Sequence, residues 1–368
     1  MCGHSQYKIP INILSPIYIG SIDTFNANEY LFLNDKVYRI NIINFFESLD
    51  DKNKEKFIKR IQDENFSLSD LKYIDADLLK SFSRYSLIDR CSDFPVNNNV
   101  QVECSVKSQN KLYIPGSSIK GAIKMALLYN SIQFDQIPDI IDKVFFNKYH
   151  RFINDFFTSS RDDATIFYNI LRFLQIEDSS NFDNTPHLHQ VESWYADKDR
   201  KFMFPKKYET RYLETIPESN TLQTAISTNY NKNFYHELNF NEDTEKLLNI
   251  EVISESLFSF ADDLIDFEIN FFSKFQRYDL VKFYEELMEN NYYNKPLICL
   301  GGANGVYAKT IYLKIYEYDK KNNTHYSESY TQLLFERADE LLFPKSRKLT
   351  YSESRPLGWA QLDFSKYI

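Results

Sequence analysis

Two short stretches carry the residue types from which chemistry could be built. The first is PGSSIKGAIK (115–124). Lys120 and Lys124 stand four residues apart, so on a helix they leave from one stripe. Ser117 or Ser118 can cap the helix start. The first turn of such a helix offers unpaired N–H groups and the positive end of the helix dipole. Gly116 precedes it, and Gly121 falls inside it, where glycine costs about 1 kcal/mol relative to alanine. The chemistry on offer is anion binding, with Gly121 letting a phosphate backbone approach. The spacing is equally compatible with a tight helix crossing in which the glycine makes room for a neighbouring strand. The second stretch is GGANG (301–305), followed by Lys309. Backbone N–H groups at Gly301, Gly302 and Gly305 can form an anion nest, or the segment is simply a flexible turn. It is not a P-loop, because no Lys-Ser/Thr follows. Its glycine spacing is also wrong for a dinucleotide fingerprint.

Glycine is scarce here, with eight in 368 residues against a usual ~7%. Five of the eight lie in these two stretches, so both stretches are expected to be sites. Other chemistry has little to work with. Cys2, Cys91, Cys104 and Cys299 form no C-x-x-C pair and read as reduced thiols. His187 and His189 could share a strand face, but no carboxylate or cysteine stands near them to complete a metal site. No metal and no cofactor are expected.

The net charge of −9 argues at first against nucleic acid, but its distribution does not. Residues 241–270 hold nine acids and one base. Without them the chain is nearly neutral. Lys111, Lys120 and Lys124 occur in a run without acids, as do Lys295, Lys309 and Lys314. Arg200, Lys201, Lys206, Lys207 and Arg211 face only Glu209 within 200–211. Local patches, rather than the total, decide phosphate binding. Aromatics make up 16% of the chain and could stack bases, although the bias toward Asn, Lys, Ile, Tyr and Phe resembles codon usage.

The elements that must position these residues follow from periodicity. Ile9, Ile11 and Ile13 alternate as in a strand. EYLFLNDKVYRIN reads as a hairpin turning at Asn34-Asp35. Helices are expected over 43–61 and 68–81. VQVECSV (100–106) and KLYIP (111–115) are strands feeding a helix from about 118. Residues 133–174 look mainly helical. YETRYLETI (208–216) and TLQTAIST (221–228) read as a second hairpin, and 243–290 as acidic helix. PLICL (296–300) is a strand entering GGANG, a helix runs on from Tyr307, and GWAQLDF (358–364) is a last strand. The class is α+β. No apolar run approaches the ~18 residues of a membrane span, and MCGHSQYKIP has no apolar signal core, so the expected compartment is the cytoplasm.

YIPGSSIKGAIKMALL resembles the helix motif of the RAMP superfamily of CRISPR-associated proteins. Within it, the similarity is to Csm subunits that cap the 3′ end of guide RNA in type III-A effector complexes. ILSPIYIGSIDTFNANEYLF, YLETIPESNTLQTAI, LGGANGVYAKT and FPKSRKLTYSESRPLGWAQLDF resemble further stretches of those subunits, in the same order. The resemblance implies two ferredoxin-like, RRM-like modules. These are expected at 1–165, with a helical insertion, and at 166–368, with the acidic helical segment. It implies a non-catalytic role in binding crRNA and supporting its maturation and antiviral interference. The implied partners are crRNA, target RNA, the repeating backbone subunit and the small subunit, together with host nucleases. Carried over by position, Gly20, Ser21, Gly116, Ser117, Ser118, Lys120, Gly121, Lys124, Gly301, Gly302, Gly305 and Lys309 would face RNA. Lys345, Arg347, Lys348 and Arg355 are weaker candidates. Two positions depart from the family pattern. Lys124 stands where arginine is common, so a bidentate fork becomes a point charge. Ile22 stands where another glycine is common. Two alternatives stay open: a metal-independent endoribonuclease using one of the six histidines (4, 150, 187, 189, 236, 325), and a protein-recruiting hub built on the acidic 241–270 segment.

Overall fold

The structure, a computed structural model, describes residues 3–63, 66–71, 74–91, 94, 100–146, 156–158, 169–197, 201–230, 240, 242–328 and 346–368. The strands are β1 (Gly3–Ile13), β2 (Gly20–Phe25), β3 (Tyr30–Leu33), β4 (Lys36–Ile40), β5 (Ser83–Asp89), β6 (Val102–Ser105), β7 (Lys107–Ser108) and β8 (Lys111–Leu112). They continue with β9 (Leu174–Ile176), β10 (His187–Asp197), β11 (Phe202–Thr215), β12 (Thr221–Tyr230), β13 (Leu297–Cys299), β14 (Ser346–Thr350) and β15 (Trp359–Leu362). The α-helices are α1 (Ile42–Ser48), α2 (Asp51–Ile61), α3 (Ala76–Ser81), α4 (Gly116–Ser131) and α5 (Ile137–Phe146). After them come α6 (Glu242–Lys246), α7 (Ile250–Lys274), α8 (Tyr278–Glu289) and α9 (Tyr312–Asn322). The protein is α+β.

The isoleucine alternation does place β1 in a sheet, with Ile9, Ile11 and Ile13 buried. That sheet is antiparallel in the order β13-β15-β1-β12-β9. A larger mixed sheet runs β2-β6-β11-β10-β5-β4-β3, with β14 added on β10. Each sheet contains strands from both before and after residue 165.

The hairpin at Asn34-Asp35 forms as expected. Both residues have positive φ, 50° and 57°, which suits the tight turn that matches strand twist. The second expected hairpin does not form. β11 pairs with β10 and β6, whereas β12 pairs with β1 and β9. The segment from Ile216 to Asn220 therefore carries the chain between sheets. The helix expected over 43–61 is two helices. Asp50 caps the second, accepting from Asn53 N–H at 2.9 Å, and so fixes the break. Residues 68–81 likewise divide into a 3₁₀ turn (Leu68–Asp70) and α3. The stretch 133–174 contains α5, a 3₁₀ turn over Ile170–Phe173 and the start of β9, with 147–155 and 159–168 outside the described residues.

α4 crosses the five-stranded sheet and packs against α7. Its inner face, Ile119, Ile123, Ala126, Leu127 and Tyr129, is fully buried. Each buried aliphatic side chain there contributes roughly 1.5–3 kcal/mol. Tyr129 also donates to Asp263 of α7 at 2.9 Å. No helix among the described residues is long and apolar enough to cross a membrane.

Candidate functional site

α4 begins at Gly116, two residues earlier than the sequence suggests. Pro115 is its N-cap, with no side-chain cap. Ser117 and Ser118 are thus first-turn residues rather than caps, with Ser117 exposed. Gly116 carries the packing constraint. A Cβ there would lie 2.8 Å from the Ile176 carbonyl carbon and 2.9 Å from that of Glu177. The Gly116 N–H donates to Asp178 Oδ1 at 2.8 Å, so one donor of the first turn is already satisfied from within. Gly121 is the opposite case: it is exposed, and a Cβ there would meet nothing within 4 Å. The helix-crossing explanation therefore applies to Gly116, and Gly121 leaves an open notch on the outer face.

Lys120 and Lys124 flank the notch. Lys120 donates to the Leu174 carbonyl at 2.7 Å. Lys124 sits over the Phe157 ring, 5.6 Å from its centroid. Burial pulls both amines below the ordinary lysine range, and the neighbouring Lys120 charge adds to the effect on Lys124. Two cations held close together and partly desolvated favour an incoming anion.

α4 also connects the two glycine stretches. Its start abuts β9 at Ile176, and the helix reaches β13 and Tyr307–Lys309. The 301–305 loop is anchored on Tyr18. Gly302 N–H donates to Tyr18 O at 3.1 Å. Gly301, at φ +94°, leaves no room for a side chain against the Tyr18 carbonyl. Gly305 takes φ +78° with open space around it. Lys309 is exposed beside this loop. Lys348 on β14 faces it closely enough for Lys309 to help depress its amine pKa, after desolvation and Arg211. The Tyr18 hydroxyl donates to Glu103 Oε2 at 3.0 Å, and Arg211 Nε donates to Glu103 Oε1 at 2.6 Å. Arg211 thus has its own carboxylate. Gly20 is exposed next to Tyr18, whose hydroxyl lies 2.7 Å from where a Cβ would be. The Ser21 hydroxyl is used within the fold, donating to Cys104 O at 3.0 Å.

Three of the C-terminal basic candidates fall in different settings. Lys345 lies outside the described residues. Arg347 is inside the fold, its Nε 2.7 Å from Glu268 and its guanidinium 3.9 Å from the Phe271 centroid. Arg355 lies over Phe283 at 5.0 Å. The acidic segment is likewise partly internal, since Glu268 binds Arg347 and Asp263 accepts from Tyr129. Where they can be described, the histidines place no acid–base pair beside the glycine stretches. His189 is 1% exposed, its Nδ1 2.9 Å from Thr215 Oγ1, and burial lowers its pKa to about 3. His325 makes a surface contact with Glu328 at 3.6 Å. The side chains of His4, His150 and His236 lie outside the described set. Among the described residues, no group of three or more His, Cys, Asp or Glu is placed to hold a metal.

Residues 11–304 match the RAMP superfamily, and the chain belongs to it. Among individual proteins it is similar to the CRISPR system Cms protein Csm5 of Methanocaldococcus jannaschii, 23% identical over 324 residues, covering 86% of this chain and 75% of that protein. Csm5 of Streptococcus thermophilus is 22% identical over 240 residues, covering 61% of this chain and 64% of its own. A chain of the cryo-EM structure of a Csm–crRNA–target RNA ternary complex from a type III-A CRISPR-Cas system superposes with a TM-score of 0.68 at 17% identity, covering 99% of this chain and 100% of its own. The crystal structure of T. onnurineus Csm5 gives 0.68 at 16% identity, over 95% and 99%. At these identities the structural likeness establishes the fold.

Proposed function

We propose that this chain is a crRNA-binding, non-catalytic subunit of a type III-A Csm effector complex. In this role it caps the 3′ end of the guide, supports its maturation and contacts target RNA and the neighbouring Csm subunits. The observation that carries the reading is the Gly121 notch: an exposed helix position kept bare, with open space, between two partly desolvated lysines. A helix gains stability from alanine there, so the bare backbone serves something outside the chain. A phosphodiester fits the opening and the charge. Gly302, Gly305, Lys309 and Lys348 extend the same chemistry at the other end of α4. The near-full-length likeness to the fold of Csm5 and to a chain of a Csm–crRNA–target RNA complex supports the same assignment. The ends of the guide RNA in assembled complexes test it. Gly121→Trp should leave 5′ ends unchanged and make 3′ ends longer or heterogeneous, with less of the subunit retained. Unchanged 3′ ends at full occupancy would defeat the capping role. Altered 5′ ends would place the subunit at the wrong end of the guide.

A further inference from the structure

Beneath the 301–305 loop lies a cavity of about 440 Å³, walled by α7, β13, β14 and the chain entering β15. Its volume falls in the range of small-ligand pockets. Trp359, Tyr284 and Phe272 supply aromatic walls. Lys309 and Lys348 also line it. Among the described residues neither lysine has a carboxylate within 4.0 Å, and each is pulled below its ordinary pKa, first by desolvation. The carboxylate that does line the cavity, Glu268, is engaged by Arg347.

Asn304 is the unusual member. Its side-chain Oδ1 and Nδ2 are both buried and neither has a hydrogen bond. Burial pushes the Cys299 thiol up to about 12, and the thiol lies close enough for the amide to pull its pKa down in part. A buried amide left without partners costs roughly 1–3 kcal/mol per group. A carboxamide offers one donor side and one acceptor side in a plane, the pattern by which asparagine reads a base edge. Base stacking on aromatic rings adds about 1–3 kcal/mol per base.

We propose that this cavity is a nucleotide pocket: it takes one unstacked nucleobase against Trp359, reads its edge with Asn304, and holds the attached phosphate between Lys309 and Lys348. The proposal rests on the RNA-binding role for its natural source, a nucleotide of the bound RNA. A free mononucleotide has the same chemistry. The glycines at 302 and 305 matter here in a second way, because they keep the mouth of the pocket open.

The test uses Trp359 as the reporter. The chain has two tryptophans, and Trp194→Phe removes the other. The buried Trp194 Nε1 has no hydrogen bond to lose. Emission is followed while inorganic phosphate, ribose 5-phosphate, AMP, UMP or a ten-nucleotide RNA is added, and RNA binding is measured in parallel by filter retention. AMP or UMP and the RNA should quench Trp359, and the two base-free anions should not. Asn304→Leu should weaken mononucleotide binding about tenfold, the low end for losing a bidentate amide contact. Lys348→Gln should weaken it similarly and keeps the test open if Asn304→Leu does not fold. RNA retained on the filter with no change in Trp359 emission would overturn the pocket and leave the RNA-binding role standing. Quenching by mononucleotides without RNA retention would keep the pocket, assign it to free nucleotides and remove the RNA role. Quenching equal in the parent and both variants, or by phosphate alone, would also overturn it.

Discussion

Gly116 and Gly121 lie in one helix, five residues apart, and alanine at the two positions should change stability in opposite directions. At Gly121 the new methyl meets nothing, so the full helix-propensity gain of about 0.5–1 kcal/mol is expected. At Gly116 the methyl falls against the Ile176 and Glu177 backbone. Neither side of that contact is a flexible side-chain end. Overpacking of this kind costs about 1–3 kcal/mol, and straining the N–H bond to Asp178 brings the loss to about 2–4 kcal/mol. Thermal midpoints are a blunt readout. At about 2.1 cal/mol/K per residue, 368 residues have an unfolding entropy near 0.8 kcal/mol/K, so 1 kcal/mol moves the midpoint by only about 1 °C. Urea unfolding followed by circular dichroism resolves the difference. RNA affinity measured on the same two proteins supplies the functional half, with Gly121→Ala more stable but weaker in binding. If both alanines shift stability in the same direction, the division of labour between the two glycines is wrong. If Gly121→Ala binds RNA as the parent does, the notch is not where the backbone approaches.

Arg347→Ala should destabilise the chain by about 3 kcal/mol, because it strands the buried Glu268 carboxylate; urea unfolding checks this, and a neutral result would return Arg347 to the surface. His189 should make the fold acid-sensitive. Its folded pKa, about 3, lies below the unfolded value of about 6.5, so the unfolded state takes up the proton first and stability falls as the pH drops below 6.5. Between pH 7 and pH 5 this amounts to about 2 kcal/mol. The loss should be missing in His189→Gln when the two proteins are compared by urea unfolding at both pH values. Replacing Lys120 and Lys124 together by glutamine should lower the slope of log affinity against log salt by about 1.4 for single-stranded RNA. Glutamine can still donate to Leu174 O, and an unchanged slope would show that neither amine meets phosphate.

Local signals were legible where one principle governed. Asn34-Asp35 specified its turn through backbone conformations those residues tolerate, and the isoleucine alternation located β1. The apolar spacing of 119, 123 and 126–127 located α4. The failures came where a local pattern has two tertiary outcomes. A five-residue connection with Pro and Asn looks the same whether the flanking strands pair or part into different sheets, as β11 and β12 do. Gly116 and Gly121 look equivalent in sequence, and only the path of Ile176–Glu177 separates them. A charge does not announce its depth, so Arg347 read as a surface base although Glu268, far away in sequence, draws it inside. Asn304 was passed over among glycines. The signal for it is a lone amide inside a glycine loop, which only the cavity makes meaningful.

The place of β1 also sets the order in which the molecule can be made. Ile11 is opposite Leu222 on one side and Leu362 on the other. On a ribosome adding about 5–20 residues per second, the first strand waits roughly ten to forty seconds for β12 and another seven to thirty for β15. During both intervals it carries an apolar isoleucine face and an unpaired edge, the combination most prone to pair with a strand of another chain. Pro10 interrupts the donors along that edge, and Lys8 and Asn12 place polar groups on it. The nascent chain thus draws on these three residues during its synthesis, before Asn12 gains its finished partners, accepting from Thr221 Oγ1 at 2.9 Å and donating to Gln361 Oε1 at 3.4 Å.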